Sequence, residues 1–315
     1  MQRIFRKYAV IIITSAVFAI LIINYVIASF STNKQQVATF KAKINQIIHT
    51  VQENQVELKA IQRNLDEDYL TRARAAAYVI DQNPEIVEDV EELQNLSVLL
   101  NVDEIHVIDE NGIIAYSSVP EYIGLDFHEG EQTREFLSLL LDEDGENYLI
   151  QKEQPNTAEQ KIMKYVGVTR RGVHGIIQVG LQPVRLEEAQ ERNSYKYIFN
   201  RFPTDKGEEF FAIDSSTGKV VADTGDLPQN ALEQKYADNA LTDCENGSFM
   251  EIGNKETLFV VTRQYNDVLI GASISKRDMM AGLWKNMCAT MICLLIVEII
   301  MIIFLNALVK NRIVN

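Results

Sequence analysis

The sequence predicts an α+β protein in which a long N-terminal helix precedes two antiparallel-sheet modules, with an apolar helix at each end. Three observations lead to this prediction. Two apolar stretches, residues 8–30 and 287–309, bracket the 315-residue chain. A heptad pattern of apolar residues follows the first stretch. Hairpin signatures, each made of two strand-like runs and a turn, then occur twice along the chain.

Each apolar stretch is long enough to cross a membrane as a helix. At ~1.5 Å rise per residue either would extend roughly 35 Å, whereas a hydrocarbon core is about 30 Å thick. Cations precede the first stretch and follow the second, and they are Arg3, Arg6, Lys7, Lys310 and Arg312. The positive-inside rule therefore predicts that residues 1–7 and 310–315 are cytoplasmic and that residues 31–286 lie outside the cytoplasmic membrane.

A cleaved signal peptide is the alternative interpretation of the first stretch. Residues 26–28 offer small side chains at a suitable spacing for cleavage after Ala28. The apolar run is, however, longer than the roughly 7 to 15 residues usual in a signal peptide. This length favours an uncleaved membrane anchor.

Composition narrows the classes of partner. The chain carries 44 acidic and 30 basic residues, a formal net charge of -14. Such a surface repels nucleic acid and anionic lipid, so a nucleic-acid partner and a lipid-coating role are disfavoured. Of the three cysteines only Cys244 lies outside the apolar stretches, which rules out a disulfide within the outer segment.

Residues 31–83 are predicted to form a stalk helix. Apolar residues recur there at alternating steps of three and four, interrupted only by Asn54; they are Val37, Phe40, Ile44, Ile47, Val51, Leu58, Ile61 and Leu65. This seam is typical of a helix that pairs with a second helix, which predicts a homodimer through the stalk. The alternative is that the seam packs on the chain's own domain. The seam fails at Asp68, and Pro84 ends the helix.

Residues 84–182 are predicted to form the first sheet module. A short helix over 84–100 leads into a hairpin whose turn contains Asn111 and Gly112, since Asn-Gly supplies the positive φ angles of tight turns. Asp109 is expected to shape this turn. A helix over 131–141 and three further strands follow, at 148–151, 161–169 and 173–181.

The same order of predicted elements then recurs. A connecting helix over 183–200 leads into a second module, residues 201–280, which begins with another hairpin. Asp214 occupies the place that Asp109 had in the first hairpin. A short helix over 228–237 and three strands, at 248–252, 257–264 and 268–274, complete the module. The two modules are thus predicted to be weak internal repeats.

Three stretches carry a family resemblance: VIDENGIIAYSSVPEYIGLD, GVTRRGVHGIIQVGLQP and AIDSSTGKVVADT. In order, spacing and placement between two spans, the chain resembles the double Cache family of sensor domains, found in bacterial chemoreceptors, histidine kinases and cyclic-nucleotide enzymes. The resemblance covers roughly residues 33–280. It implies two PAS-like modules, with a small molecule bound in the first of them, distal to the membrane. The Arg-x-Trp-Tyr cluster of the amino-acid-binding subset has no counterpart, because residues 132–136 read Gln-Thr-Arg-Glu-Phe.

Five residues of the first module are candidate ligand contacts, because aromatic walls with a few polar groups suit a small polar ligand. They are Tyr116, Ser118, Arg134, Tyr148 and Tyr165. Tyr116 and Ser118 share one face of their strand, since side chains alternate with period two. The alternative for each is an ordinary amphipathic strand residue or a solvated arginine.

Glu298 is the one carboxylate of the second apolar stretch. A carboxylate there costs about 2.5 to 3.5 kcal/mol on insertion scales, so it should be protonated, paired or turned toward other helices. Asn24 in the first stretch is the candidate partner, and the two residues are candidates for transmembrane signalling. A neutral Glu298 merely tolerated by the helix is the alternative.

The sequence carries no motif of an enzyme and none that binds a cofactor, and its four histidines have no metal-ligand spacing. The prediction is therefore a small-molecule sensing domain of a bacterial transmembrane signal transducer. Ligand binding would pass through the second membrane helix to an output module absent from this chain. That module would belong either to a longer protein of which this chain is a fragment or to a separate cytoplasmic signalling partner. The alternative is a membrane-anchored ligand-binding or assembly protein without signalling output.

Overall fold

The computed structural model describes residues 2–141, 147–225, 227–253 and 257–314. The side chains of the cations at the two ends, on which the cytoplasmic placement of the termini rests, lie outside the described residues. The chain divides into two compact units, Glu53–Asn193 and the pair of segments Met1–Gln52 and Ser194–Asn315. They are called here the central unit and the terminal unit.

Two long helices occupy the ends of the chain. Helix α1 (Gln2–Gln82) has 81 residues, so the first apolar stretch and the predicted stalk form one uninterrupted helix. The last helix, α7 (Lys276–Val314), has 39 residues and includes the second apolar stretch. Both are long and apolar enough to cross a membrane, with mean hydropathies of 2.7 and 2.8 in their most apolar windows.

The central unit contains a six-stranded antiparallel sheet. A 3₁₀ turn (Pro84–Val87) and α2 (Val90–Leu100) precede it. The strands are β1 (Glu104–Ile108), β2 (Ile114–Ser117), β3 (Tyr148–Ile150), β4 (Gln154–Pro155), β5 (Ile162–Thr169) and β6 (Ile176–Leu181). Their order is β2-β1-β6-β5-β3, and β4 pairs with β5. The predicted helix over 131–141 is a single α-turn, α3 (Glu131–Arg134), continued by a 3₁₀ helix, Glu135–Leu141.

Alternation along the strands gives this sheet two different faces. Ile105, Val107 and Ile177 pack against α1 and α2, and this side is called the helix face. Ile108 and Ile176 point to the other side, which is covered by the chain between β2 and β5 and is called the loop face. Both faces are therefore buried, and every residue of β1 and β6 is buried.

The first hairpin turn is held by its aspartate. Asp109 Oδ1 accepts hydrogen bonds from the backbone N–H groups of Asn111 and Ile113, each at 2.9 Å. Gly112 has a φ of +78°, which a side chain rarely adopts. The expected role of Asp109 in shaping the turn is thus confirmed.

The predicted connecting helix is two helices, α4 (Val184–Arg192) and α5 (Tyr195–Arg201). Ser194 separates them, because its hydroxyl accepts a hydrogen bond from Tyr197 N at 3.2 Å and so caps a new helix. The prediction of one continuous helix over 183–200 is corrected accordingly.

The terminal unit contains a second antiparallel sheet. Its elements are β7 (Glu208–Asp214), β8 (Val220–Asp223), α6 (Gln229–Ala237), β9 (Ser248–Met250), β10 (Leu258–Tyr265) and β11 (Val268–Ser275). The order β8-β7-β11-β10-β9 repeats that of the first sheet. Asp214 also repeats the role of Asp109, since its Oδ1 accepts from the N–H groups of Ser216 and Thr217. The predicted α+β class with two similar sheets is confirmed.

The heptad seam packs on the chain itself in the terminal unit. Phe40, Ile44 and Ile47 are fully buried and belong to one cluster with Phe210 and Ile270 of the second sheet. These seam residues therefore have no apolar face left for a second chain, and the prediction of a dimer through them is corrected. An α-helix beside a sheet buries the same three-four stripe that a coiled coil would, so the periodicity alone did not separate the two.

Asn54, the polar position of the seam, also has a partner within its own unit. Its Nδ2 donates to the carbonyl of Arg192 at 3.5 Å, at the last turn of α4. A hydrogen bond to a helix C-terminus satisfies a carbonyl that lacks an intrahelical partner. Asn54 therefore contributes to the packing of α1 with α4.

Replacement of Ile44 by Ala should destabilise the terminal unit by about 2 to 5 kcal/mol, because it leaves a cavity in a closed core. Chemical denaturation of the full chain measures this loss. The matched control is Gln46→Ala on the exposed side of the same turn, which should change the free energy of unfolding by less than about 0.5 kcal/mol. A loss for Ile44→Ala that disappears on dilution below a dimer's dissociation constant would instead indicate packing between chains.

Candidate ligand site

A cluster of buried polar side chains occupies the loop face of the first sheet. Glu104 and His106 belong to β1, Tyr165 to β5 and Gln178 to β6. All four are buried. In the sheet register His106 lies beside Gln178, whereas Glu104 and Tyr165 both lie beside Gly180. The strands therefore bring the four side chains together, and they are called here the polar cluster.

Glu104 is the acceptor at the centre of the polar cluster. The Tyr165 hydroxyl donates to its Oε2 at 2.7 Å, and His106 Nε2 lies 3.1 Å from the same oxygen. The other ring nitrogen, Nδ1, lies 2.9 Å from the hydroxyl oxygen of Ser117. With the ring proton assigned to Nε2, His106 donates to the carboxylate and accepts from Ser117, so both ring nitrogens are satisfied.

The charges of the polar cluster shift its acidities in a consistent way. Burial opposes ionisation of Glu104, but the hydrogen bonds that His106 and Tyr165 donate to its carboxylate outweigh this effect and lower the pKa of Glu104. Burial and the Glu104 charge raise the pKa of Tyr165. The same two causes raise the pKa of Tyr122 to about 12. Both phenols therefore keep their protons at neutral pH, and the Tyr165 hydroxyl acts as a hydrogen-bond donor to Glu104.

Asn156 ties the chain after β4 to the polar cluster. Its Nδ2 donates to the hydroxyl oxygens of Tyr122 and Tyr165, at 3.2 and 3.4 Å. Its Oδ1 accepts from the backbone of Glu159 and of Lys161. The loop over 156–161 is thus hydrogen-bonded to the same side chains that hold Glu104.

Gly180 makes room for this arrangement. A Cβ at this position would lie 2.6 Å from Tyr165 Cε1 and 2.9 Å from Glu104 Oε2. The tyrosine ring and the carboxylate both pass over its bare backbone. A larger residue at 180 would therefore displace the hydrogen bond between Tyr165 and Glu104.

Gln178 is the incomplete member of the polar cluster. It is only 2% exposed, and its Nε2 has no hydrogen-bond partner among the described residues. A buried donor without a partner costs about 1 to 3 kcal/mol. Native structures rarely retain such a group without a reason. Gln178 therefore offers a hydrogen-bond donor that an acceptor on a bound molecule can use.

Of the five ligand contacts expected from the sequence, the structure places Tyr165 in the polar cluster. Tyr116 pairs with Val107, whose side chain is on the helix face, so Tyr116 is on that face as well. Ser118 follows two residues later, and its hydroxyl accepts from the backbone N–H of Ile105 at 2.9 Å.

The remaining two expected contacts have other neighbours. Tyr148 pairs with Val168 of the helix face, and the Arg74 guanidinium of α1 lies 5.3 Å from its ring centroid. Arg134 is exposed and donates through Nη2 to the carbonyl of His128 at 2.7 Å. Neither is brought together with Tyr165.

Sequence reasoning missed Glu104, His106 and Gln178. The available signal was the pair of polar residues two positions apart in EIHVID, which a strand with one solvated face also shows. A β-bulge also prevented a correct prediction of which β2 residues lie on which face of the sheet. The register shifts between Val107 and Ile108, so that Ile108 pairs with Ile114 whereas Val107 pairs with Tyr116. Regular alternation would have placed Tyr116 opposite His106; the extra residue places Ser117 there.

The two polar residues of the apolar helices are also separated. Glu298 Oε1 accepts a hydrogen bond from the Thr14 hydroxyl at 2.5 Å, so its partner is a threonine of α1. Asn24 instead lines a cavity of about 530 Å³ between α1 and α7, together with Ser31 and Thr290. Within one chain Asn24 and Glu298 therefore have different neighbours, and their pairing within a helix bundle stays a prediction.

No family model and no curated protein matches the chain. Solved structures similar to it are sensory or ligand-binding domains. The extracellular ligand-binding receptor of Desulfohalobium retbaense is 14% identical, with a TM-score of 0.33 over 73% of this chain and 40% of that one. The sensor domain of the V. cholerae histidine kinase DctB is 16% identical, with a TM-score of 0.34 over 73% and 99%.

The sensory domain of the Campylobacter jejuni chemoreceptor Tlp3, with isoleucine bound, is 12% identical, with a TM-score of 0.33 over 82% of this chain and 98% of that one. At such low identities and TM-scores the ligands of these proteins do not transfer to this chain. This chain spans less than half the length of the D. retbaense receptor.

Replacement of Glu104 by Gln should make the free energy of unfolding depend less steeply on pH in the acid range. The pKa of Glu104 is lowered below 4.5 in the folded state, so its stabilising contribution is complete above pH 4.5 and is lost as pH falls through the folded pKa. Urea denaturation at several pH values in this range measures the slope of the free energy of unfolding against pH. The control Glu121→Gln, at an exposed carboxylate of the same unit, should keep the wild-type slope. An unchanged slope in Glu104→Gln would show that Glu104 is not the linked group.

Proposed function

We propose that this chain is the extracytoplasmic small-molecule sensing domain of a bacterial transmembrane signal transducer. The ligand binds at the loop face of the first sheet, in contact with Gln178 and His106. The change is passed through α7 to an output module in the cytoplasm. The proposal supposes a sensor without catalytic activity.

The unpaired Nε2 of Gln178 carries this proposal. Tyr165 and His106 both form hydrogen bonds to Glu104, whereas this donor is buried without a partner among the described residues. A ligand with a hydrogen-bond acceptor, such as a carbonyl or carboxylate oxygen, would satisfy it and recover the cost of its burial. The neighbouring rings of Tyr122 and His106, with centroids 5.5 Å apart, supply the aromatic wall.

The conformational change on ligand binding would leave the site through the loop over 156–161 and through strand β1. Asn156 and Glu104 connect these segments to Tyr165 by hydrogen bonds. The opposite face of β1 packs on α1 through Ile105. A ligand shifts such an arrangement only if it binds two states with different affinity. The two states would differ in whether Tyr165 and Asn156 hold the loop closed over the polar cluster.

We place the protein in the cytoplasmic membrane as a two-pass protein with residues 31–286 outside. Length and apolarity of α1 and α7 support this placement, as do the cations that flank both apolar stretches on the same side. A homodimer remains a prediction. Because Phe40, Ile44 and Ile47 are buried within the chain, its interface would use other surfaces.

A thermal-shift screen of the full chain in nanodiscs, against small carboxylates, amino acids and amines, should find a stabilising ligand. Gln178→Leu should weaken the affinity for that ligand by at least about tenfold and reduce the thermal shift accordingly. The substitution removes a buried hydrogen bond to the ligand while the volume of the side chain stays similar. Tyr116→Ala on the helix face is the matched control and should keep the affinity.

The converse result, with Tyr116→Ala weakening binding and Gln178→Leu leaving it unchanged, would contradict the placement of the site. A ligand that binds without altering the activity of any coexpressed cytoplasmic partner would favour the alternative of a membrane-anchored binding protein.

A reporter that is active only in the cytoplasm should be active when it is fused after Asn315. The physical reason is the excess of Lys and Arg next to both apolar stretches on one side. An exported reporter at the same position is the control and should be silent. Activity of the exported reporter alone would contradict the two-pass placement.

A further inference from the structure

A pocket of about 580 Å³ lies where α1, α7 and the chain after β9 meet in the terminal unit. The wall near the apolar stretches is aromatic and apolar and is formed by Tyr25, Leu283 and Trp284. Lys276 and Arg277 form its opposite end. One wall of the pocket is thus apolar and the other cationic.

The polarity of the pocket changes along one face of α7. Lys276, Met280 and Trp284 follow one another at steps of four, so their side chains line the same side of the helix. At ~1.5 Å per residue, the eight positions from Trp284 to Lys276 span roughly 12 Å. A headgroup layer is roughly 7 Å thick, which is about 5 Å less than this distance. A lysine side chain that extends toward the membrane can cover the difference.

The aromatic end has the properties of a membrane interface. The rings of Tyr25 and Trp284 lie side by side with centroids 6.1 Å apart, and both side chains are exposed. Trp and Tyr are enriched where the hydrocarbon core meets the headgroups. Trp284 lies three residues before the second apolar stretch, and Tyr25 lies near the outer end of the first. The pair therefore marks the outer boundary of the bilayer.

The cationic end is unusual for this chain. The net charge of the protein is -14, yet the described residues that line the pocket include two cations and a single carboxylate, Glu251. The Lys276 ammonium lies 5.4 Å from the ring centroid of Phe249, which is within the range of a cation–π contact. An anion at this end would be attracted to both cations.

We propose that this pocket binds the headgroup of an anionic phospholipid of the outer leaflet. The phosphate contacts Lys276 and Arg277, the glycerol region lies beside Met280, and the acyl chains pass along Trp284 and Tyr25. The gradient from cation to aromatic ring has the same direction and about the same length as the corresponding part of a lipid. The proposal rests on the two-pass membrane placement and goes beyond the ligand site of the first sheet.

The single tryptophan of the chain makes the proposal directly testable, because Trp284 is itself in the pocket. The full chain is placed in phosphatidylcholine nanodiscs that contain the same minor fraction of either brominated phosphatidylglycerol or brominated phosphatidylcholine. Bromine quenches tryptophan fluorescence at contact. We expect the phosphatidylglycerol to be enriched about fivefold or more at Trp284, since each cation near the surface favours an anionic lipid by this factor.

The variant Lys276→Gln with Arg277→Gln should lose this enrichment. Lys285→Gln, a cation of the same helix outside the pocket lining, should keep it. Equal quenching by the two lipids, or enrichment that survives the double substitution, overturns the lipid site. Loss of enrichment on adding inorganic phosphate assigns the pocket to free phosphate and also overturns it. Absence of quenching by either lipid contradicts the membrane placement itself.

Discussion

A carboxylate buried beneath a sheet must be matched by donors, and in this protein Glu104 imposes that requirement on its surroundings. The penalty for an unmatched buried charge is several kcal/mol, more than most single contacts contribute. Tyr165 and His106 meet it by donating to the same oxygen. Gly180 is needed so that the ring and the carboxylate can approach each other over the backbone. One charge thus determines the residue types on three strands.

The same requirement explains why the loop over 156–161 is fixed. The Tyr165 hydroxyl donates to Glu104 and accepts from Asn156, and Asn156 in turn accepts from two backbone N–H groups of the loop. Hydrogen bonds in such a chain polarise one another in a medium of low dielectric. A molecule that entered the loop face would compete with these bonds, so that occupancy of the site and conformation of the loop are linked. Gln178 is the position where an added acceptor would gain most.

The sequence predicted the order of the elements well because periodicity reports local structure. Both hairpins, both apolar helices and the repeat of the two sheets follow from patterns within a few residues. The faces of the strands could not be predicted as well. A bulge opposite Val107 and Ile108 exchanges the sides of Tyr116 and Ser117, and nothing in the local pattern announces it. Phe40 and Ile44 show the same limit, since their stripe suits a second helix and a sheet equally.

The polar cluster was missed for a related reason. Glu104 and His106 alternate with apolar residues, which usually indicates a strand with one side in water. Only the pairing of β1 between β2 and β6, together with the chain that covers the loop face, shows that both sides are buried. Burial is a property of the assembled sheet, and it is burial that turns an ordinary polar pattern into a candidate site.

The most direct test is a double-mutant cycle on the hydrogen bond between Glu104 and Tyr165. The free energy of unfolding is measured at neutral pH for the wild type, for Glu104→Gln, for Tyr165→Phe and for the double variant. The account predicts a coupling energy of about 1.5 to 3 kcal/mol, as for hydrogen bonds to a charged group. A coupling energy near zero would contradict it, because the two side chains would then contribute independently and the buried charge would not organise the site.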